Sequence, residues 1–254
     1  MRRIFVPTVL AACIACGDAS GPDAGAFTMS FSASESAAAR ASTASTATAL
    51  SSITITEGAN TLVVTRARLV LDEIELEEFS GRECDNSGSG RDPNCPEIEI
   101  GPFLVDLPLT GGVRSAISAQ IPAGSYHEIE FDIEPVDDSN AGARAFFTAN
   151  PDIPRNRSIV IQGTFNGQPF TFMSASRFEL ELEFRPNLIV GAGGTNVTID
   201  VDVASWFRSG TTLLSPLDPA AAAVIESRIL ASFAAFLDDN RDGRRDGGHG
   251  SDDR

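Results

Sequence analysis

Over residues 53–207 apolar side chains alternate with acidic and other polar ones at a period of two. The clearest runs are His127-Glu128-Ile129-Glu130-Phe131-Asp132-Ile133-Glu134, Arg177-Phe178-Glu179-Leu180-Glu181-Leu182-Glu183-Phe184 and Thr198-Ile199-Asp200-Val201-Asp202-Val203. Successive side chains of a strand point to opposite faces, so each run predicts a strand with one side in a core and the other toward water. Asn166-Gly167 lies between Ser158-Ile159-Val160-Ile161-Gln162 and Phe170-Thr171-Phe172. Both turn residues tolerate positive φ, and the pair predicts a tight hairpin. Residues 69–79 keep strand character, but their parity slips near Asp72-Glu73, which predicts a bulge. Pro122-Ala123-Gly124 and residues 108–112 predict turns. About eight to ten short strands without βαβ alternation predict a mainly β fold, an antiparallel β-sandwich spanning residues 53–208.

The period then changes. Asp218 caps, Pro219 takes the first helical position, and Ile225, Ile229, Phe233 and Phe236 recur at helical spacing, which predicts one C-terminal α-helix over 218–237.

Before the strands come two segments of a different character. Arg2-Arg3 followed by the apolar run from Ile4 to Ala15 is too short to cross a bilayer, which needs roughly 20 apolar residues, and has the charged and apolar parts of a signal peptide, 1–15. The cysteine that follows, Cys16, is the residue expected to carry lipid; Cys13, after Leu10-Ala11-Ala12, is the rival and gives the same topology. Several acyl chains on one cysteine, at about 0.8 kcal/mol per buried CH₂, make a stable anchor. Residues 16–52, rich in Ala, Ser and Thr, read as a tether, with Phe27-Thr28-Met29-Ser30-Phe31 as a short strand inside it. The expected location is the bacterial cell envelope, by analogy the outer membrane, since Asp is adjacent to neither cysteine.

Net charge narrows the partners. It is −16, and removal of Arg2 and Arg3 with the signal makes it −18. Such a polyanion repels nucleic acid and suits cations, with envelope proteins or glycans as possible partners. All basic residues are arginine, so mechanisms that need a lysine are closed. His127 and His249 are the only histidines, which excludes a three-histidine zinc site and leaves a metal carrier poorly equipped. The regular acidic strand faces mark outward, solubilising positions, where any opposing arginine eases the repulsion; the rival is the paired carboxylates of a carbohydrate-active enzyme. Trp206 and Phe207 read as core plugs in preference to a sugar platform. Cys84 and Cys95 bracket a polar loop and read as a disulfide in an oxidising compartment.

After the helix, in the tail 238–254, comes Asp238-Asp239-Asn240-Arg241-Asp242-Gly243-Arg244-Arg245-Asp246. Oxygen ligands at positions one, three and five, glycine at six and an acid at nine suit a hard cation. Asp238, Asn240, Asp242 and Asp246 are the side-chain candidates for Ca²⁺, with the Arg244 carbonyl at seven; position twelve is His249 where a sensor loop has a bidentate Glu. The run resembles the calcium repeats of thrombospondin type 3 and dockerin modules.

Phe103-Leu104-Val105-Asp106-Leu107-Pro108-Leu109-Thr110-Gly111-Gly112, followed by Ile121-Pro122-Ala123-Gly124-Ser125-Tyr126, resembles a family of bacterial envelope lipoprotein domains known as the domain of unknown function numbered four-three-eight-two. That resemblance covers residues 55–205 and implies a transthyretin-like or immunoglobulin-like sandwich with no active site to transfer. The expectation is a non-enzymatic binding or surface-structural module; the alternatives are an extracytoplasmic carbohydrate-active enzyme and a metal carrier.

Overall fold

The computed structural model describes residues 24–34, 52–79 and 97–245. In chain order the strands are β1 (Ala24–Ser34), β2 (Ile53–Glu57), β3 (Asn60–Glu78), β4 (Glu97–Ile100), β5 (Phe103–Asp106), β6 (Val113–Pro122) and β7 (Gly124–Ile133). They continue as β8 (Ile159–Phe165), β9 (Gln168–Ser174), β10 (Phe178–Val190), β11 (Thr195–Asp202), β12 (Arg208–Ser209), β13 (Thr212–Leu213) and β14 (Phe233–Leu237). Short helices α1 (Ala143–Ala149), α2 (Val203–Trp206) and α3 (Ala222–Leu230) interrupt them. The fold is mainly β, and its pairing is antiparallel except between β1 and β11.

One sheet has the order β14-β11-β1-β6 and a larger one β10-β7-β3-β8-β9. The 19-residue β3 organises the larger sheet. It pairs along one flank with β8 and then β7, and along the other with β2, β5 and β4. The bulge expected near Asp72-Glu73 is present as a register shift between Leu71 and Glu73. The Asn166-Gly167 hairpin joins β8 to β9, with φ of 51° and 78° at its two turn residues.

Both sheets contribute to one apolar cluster. Phe27, Met29 and Phe31 of β1, Val197 and Ile199 of β11, and Ile129 and Phe131 of β7 all belong to it. Trp206 and Phe207 are fully buried in it, in and just after α2, and the indole Nε1 donates to Ser232 Oγ at 2.7 Å. A second, smaller cluster lies on the opposite side of the larger sheet, where Val70 and Val160 meet Ala143 and Phe146 of α1. Not every alternating strand therefore has a wet outer face. Arg68, 3% exposed, sits nearby with Nη1 2.5 Å from Asp152.

The structure corrects three sequence expectations. The tether assigned to 16–52 contains β1, eleven residues long and central in its sheet. Burial of Phe27, Met29 and Phe31, at about 1.5–3 kcal/mol each, offsets the entropy of ordering this stretch. The body thus extends beyond 53–208 at both ends. The helix expected over 218–237 starts as foreseen, with Asp218 Oδ1 accepting from the Ala220 amide and Pro219 opening a 3-10 turn, but α3 stops at Leu230. Ser232 Oγ donates to the Ile229 carbonyl at the helix end, and Phe233 and Phe236 belong to β14, which pairs with β11. The strands also number fourteen among the described residues, and β3 is long. The signal segment 1–15, the anchor candidates Cys13 and Cys16, and the Cys84–Cys95 pair lie outside the described residues.

Candidate functional site

The aspartate-rich run leaves β14 and folds back across the outer side of the smaller sheet. Asp238 is fully buried. Its backbone amide donates to the Asn196 carbonyl, and the Asn196 side-chain amide donates to the Asp238 carbonyl at 2.8 Å. Ser30 Oγ donates to Asn196 Oδ1 at 2.7 Å, so β1, β11 and the loop share one polar network. Arg241 reaches the Thr28 hydroxyl at 3.3 Å. Further along, a Cβ on Gly243 would stand 2.9 Å from Val113 Cγ2 of β6. Residues 238–243 are therefore a strap over the sheet.

The loop turns its ligand oxygens inward. Asp238 Oδ1 accepts from the Asp242 amide at 2.9 Å, and Oδ2 accepts from Thr198 Oγ1 at 2.7 Å and the Gly243 amide at 3.0 Å. Asn240 Oδ1 accepts from the Asp242 amide, and Asp242 Oδ1 from the Arg244 amide, both at 2.9 Å. Gly243, at the sixth position, has φ of 76°, which a side chain would oppose. Asp238, Asn240, Asp242 and the Arg244 carbonyl lie in this turn; Asp246 lies outside the described residues. A buried carboxylate with three donors is a firm anchor, and side chains of positions one, three and five wrapped on one turn suit a hard cation.

A second acidic feature spans the larger sheet. In register across β10, β7 and β3 stand Glu179, Asp132 and Glu73, then Glu181, Glu130 and Glu75, then Glu183, Glu128 and Glu77. In each row acid faces acid across the strand pairs. Carboxylate oxygens of Glu128, Glu130 and Glu181 lie within 4.8 Å of one another, as do those of Glu130, Asp132 and Glu179. Like charges directly across a strand pair repel. Partial burial, followed by the charges of Glu179 and Glu75, pushes Glu130 up to about 7. Burial and then neighbouring acids raise Glu128 and Asp132 as well. Relief comes at the margins, where His127 lies 3.3 Å from Glu77 and Arg177 pairs with Glu134. The alternation made these residues legible as outward, but only strand order shows that they stack on one another.

A cleft of 510 Å³ opens beside β3, β5 and β6, lined in part by Thr65, Arg66, Asp106, Thr110 and Arg114. Asp106, the one carboxylate among the described lining residues, accepts from Arg66 Nε at 3.0 Å and Nη2 at 2.9 Å.

Comparison with protein-family models, curated proteins and solved structures finds no match. The likeness to the envelope lipoprotein domain thus rests on residues 103–112 and 121–126 alone.

Proposed function

We propose that this chain is a non-enzymatic, lipid-anchored protein of the bacterial envelope, a β-sandwich of the transthyretin or immunoglobulin kind that serves as a binding or surface-structural module and holds Ca²⁺ in its 238–246 loop. The observation that carries the reading is the inward turn of Asp238, Asn240 and Asp242 around the loop amides, on a base fixed by Thr198. Two sheets sharing one core support the sandwich. The arginine-led apolar segment ahead of Cys16, with Cys13 as the alternative, supports the anchor and an outer-membrane address, and Cys84 with Cys95 supports a disulfide in that compartment.

In this reading calcium takes side-chain oxygens from Asp238, Asn240, Asp242 and Asp246 and the Arg244 carbonyl. His249 at position twelve supplies no bidentate carboxylate, so affinity falls in the extracellular class, on the order of 10⁻⁴ to 10⁻³ M. Titration calorimetry of the whole protein is the test. Calcium heat is expected for the native chain and lost in Asp242→Ala and Asn240→Ala, whose melting in chelator stays close to native. Equal heats in all three remove the ion from the reading. Mass spectrometry of the mature terminus tests the anchor separately: an acylated Cys16 or Cys13 supports it, and an intact Met1 ends it. Pull-down from native membranes with and without chelator then identifies the partner.

A further inference from the structure

We propose that the cleft beside β3, β5 and β6 binds an acidic sugar, a hydroxyl-rich glycan unit carrying a carboxylate such as a uronic acid, with Arg114 as the group that takes the carboxylate. The proposal rests on the binding-module reading above and names a ligand class for it; it depends on neither the anchor nor calcium.

The cleft lies where both sheets stop. β6 is the last strand of the smaller sheet, and β5 pairs with β3 alone among the described strands. Between them run residues 107–112, which turn Leu107 and Leu109 into the core and leave Thr110 exposed at the rim. The resulting 510 Å³ falls within the range of small-ligand sites, about 300–1,000 Å³. A recess of 120 Å³ adjoins it, shares Asp106 and Arg114, and continues past Ser115 and Ala116 of β6. Two cavities with these side chains in common suit a ligand of more than one ring.

The charge of the walls runs against that of the chain. Net charge is −16, yet the lining holds two guanidinium groups and one carboxylate. Arg66 neutralises the carboxylate, since its Nε and Nη2 both end on Asp106 Oδ2. Arg114 makes no hydrogen bond or ion pair with any described residue and is the surplus cation. It stands opposite Phe31 in register, which puts it on the core-facing side of β6 at an edge that no described strand covers. A guanidinium in that position offers a planar fork to a carboxylate. Charges are screened over about 10 Å at 0.1 M salt, so at this spot Arg114 and Arg66 outweigh the distant acids of the chain.

Its neighbours select what bears the carboxylate. Asp106 Oδ1 is left open among the described residues and can only accept, and Thr65 and Thr110 add hydroxyls that both donate and accept. Phosphate and sulfate present acceptors on every side and would set one against Asp106. The ammonium of an amino acid would meet Arg66, which already sits on that carboxylate. A sugar acid carries one anionic group and a series of hydroxyl donors, which matches Arg114 beside Asp106 and the two threonines.

The experiment is titration calorimetry of the whole protein in chelator, at two temperatures, with trigalacturonate as the probe. The same trisaccharide with its carboxyls methyl-esterified and inorganic phosphate are the comparisons. The ester and phosphate are each expected to bind at least about tenfold more weakly than the acid. Arg114→Gln should weaken trigalacturonate about tenfold and Thr110→Val about threefold, both with native melting because the two side chains are exposed. Arg228→Gln, which removes an exposed arginine of α3, should bind as the native chain does. Acid and ester bound alike, phosphate bound as tightly as the trisaccharide, Arg114→Gln at native affinity, or no heat at either temperature with about 10 mM trisaccharide each overturn the site. Trisaccharide recovered intact after incubation supports the non-enzymatic reading; release of shorter sugars ends that reading and leaves the site standing.

Discussion

Replacing Glu130 by Gln should stabilise this protein at neutral and alkaline pH and do little in acid. Glu130 occupies the middle row of the ladder, opposite Glu181 on one side and Glu75 on the other. Its carboxyl is pushed from 4.5 to about 7, chiefly by burial and then by Glu179 and Glu75. The folded state therefore binds this proton more tightly than the unfolded chain, and stability falls as pH rises from 4.5 through 7. At about 1.36 kcal/mol per pH unit across that window the unscreened cost is about 3 kcal/mol. The side chain is partly open to water and counter-ions, which reduces the expected cost to about 1–2 kcal/mol. Glu128, Asp132 and Asp72, raised first by burial, act in the same direction. Asp137 and Asp152 are lowered by hydrogen bonds from Ser139 and Arg68, and their contribution is lost only in stronger acid. The assay is urea unfolding at pH 4.5 and pH 8, at low and high salt, followed by the fluorescence of buried Trp206. Glu130→Gln should raise the midpoint at pH 8, with a gain that shrinks as salt is added. A neutral or harmful effect at pH 8, or native stability that climbs from pH 5 to 8, would refute the account of the ladder.

Asp238→Ala leaves Thr198 Oγ1 and the amides of Asp242 and Gly243 without their shared acceptor and should cost about 3–5 kcal/mol in chelator, measured by urea unfolding. Arg68 is buried with its Nε unpartnered, so Arg68→Met should be near neutral, whereas Asp152→Ala, which strands the guanidinium, should cost about 2–3 kcal/mol in the same assay. Ser232→Ala removes the acceptor of the buried indole and should cost about 1–2 kcal/mol and shift native Trp206 emission. Gly163→Ala drives a Cβ to within 2.0 Å of the Val63 carbonyl and should part β3 from β8, read as a lost cooperative melt in circular dichroism.

Local periodicity carried most of what was legible. Strands β7, β10 and β11, the hairpin at Asn166-Gly167 and the bulge in β3 announce themselves because each depends on neighbours in sequence. β1 showed only as a short strand over residues 27–31, because the residues flanking them are too small and polar to suggest eleven residues at the centre of a sheet. Phe233 and Phe236 fit a helical stripe continuing from Ile229 as well as a strand, and pairing with β11 decides between them. Asp238 reads as a ligand candidate at the head of an acidic run, but its burial does not show there; the hydroxyl that accommodates it belongs to Thr198, forty residues earlier. Acidity on three strand faces was visible, but its stacking into rows depends on the order β10-β7-β3, which no local pattern contains.

The parallel pairing of β1 with β11 constrains how this molecule comes into being. Thr195 follows its partner Phe27 by 168 positions, and the antiparallel neighbour β6 begins only at Val113. Loop-closure entropy must be met before such distant strands reward it, so these pairings form slowly. As the chain emerges from its amino end, Phe27, Met29 and Phe31 stay without their β11 partners until nearly four-fifths of these 254 residues have followed. A holdase that shields this early apolar strand would therefore favour correct assembly over aggregation.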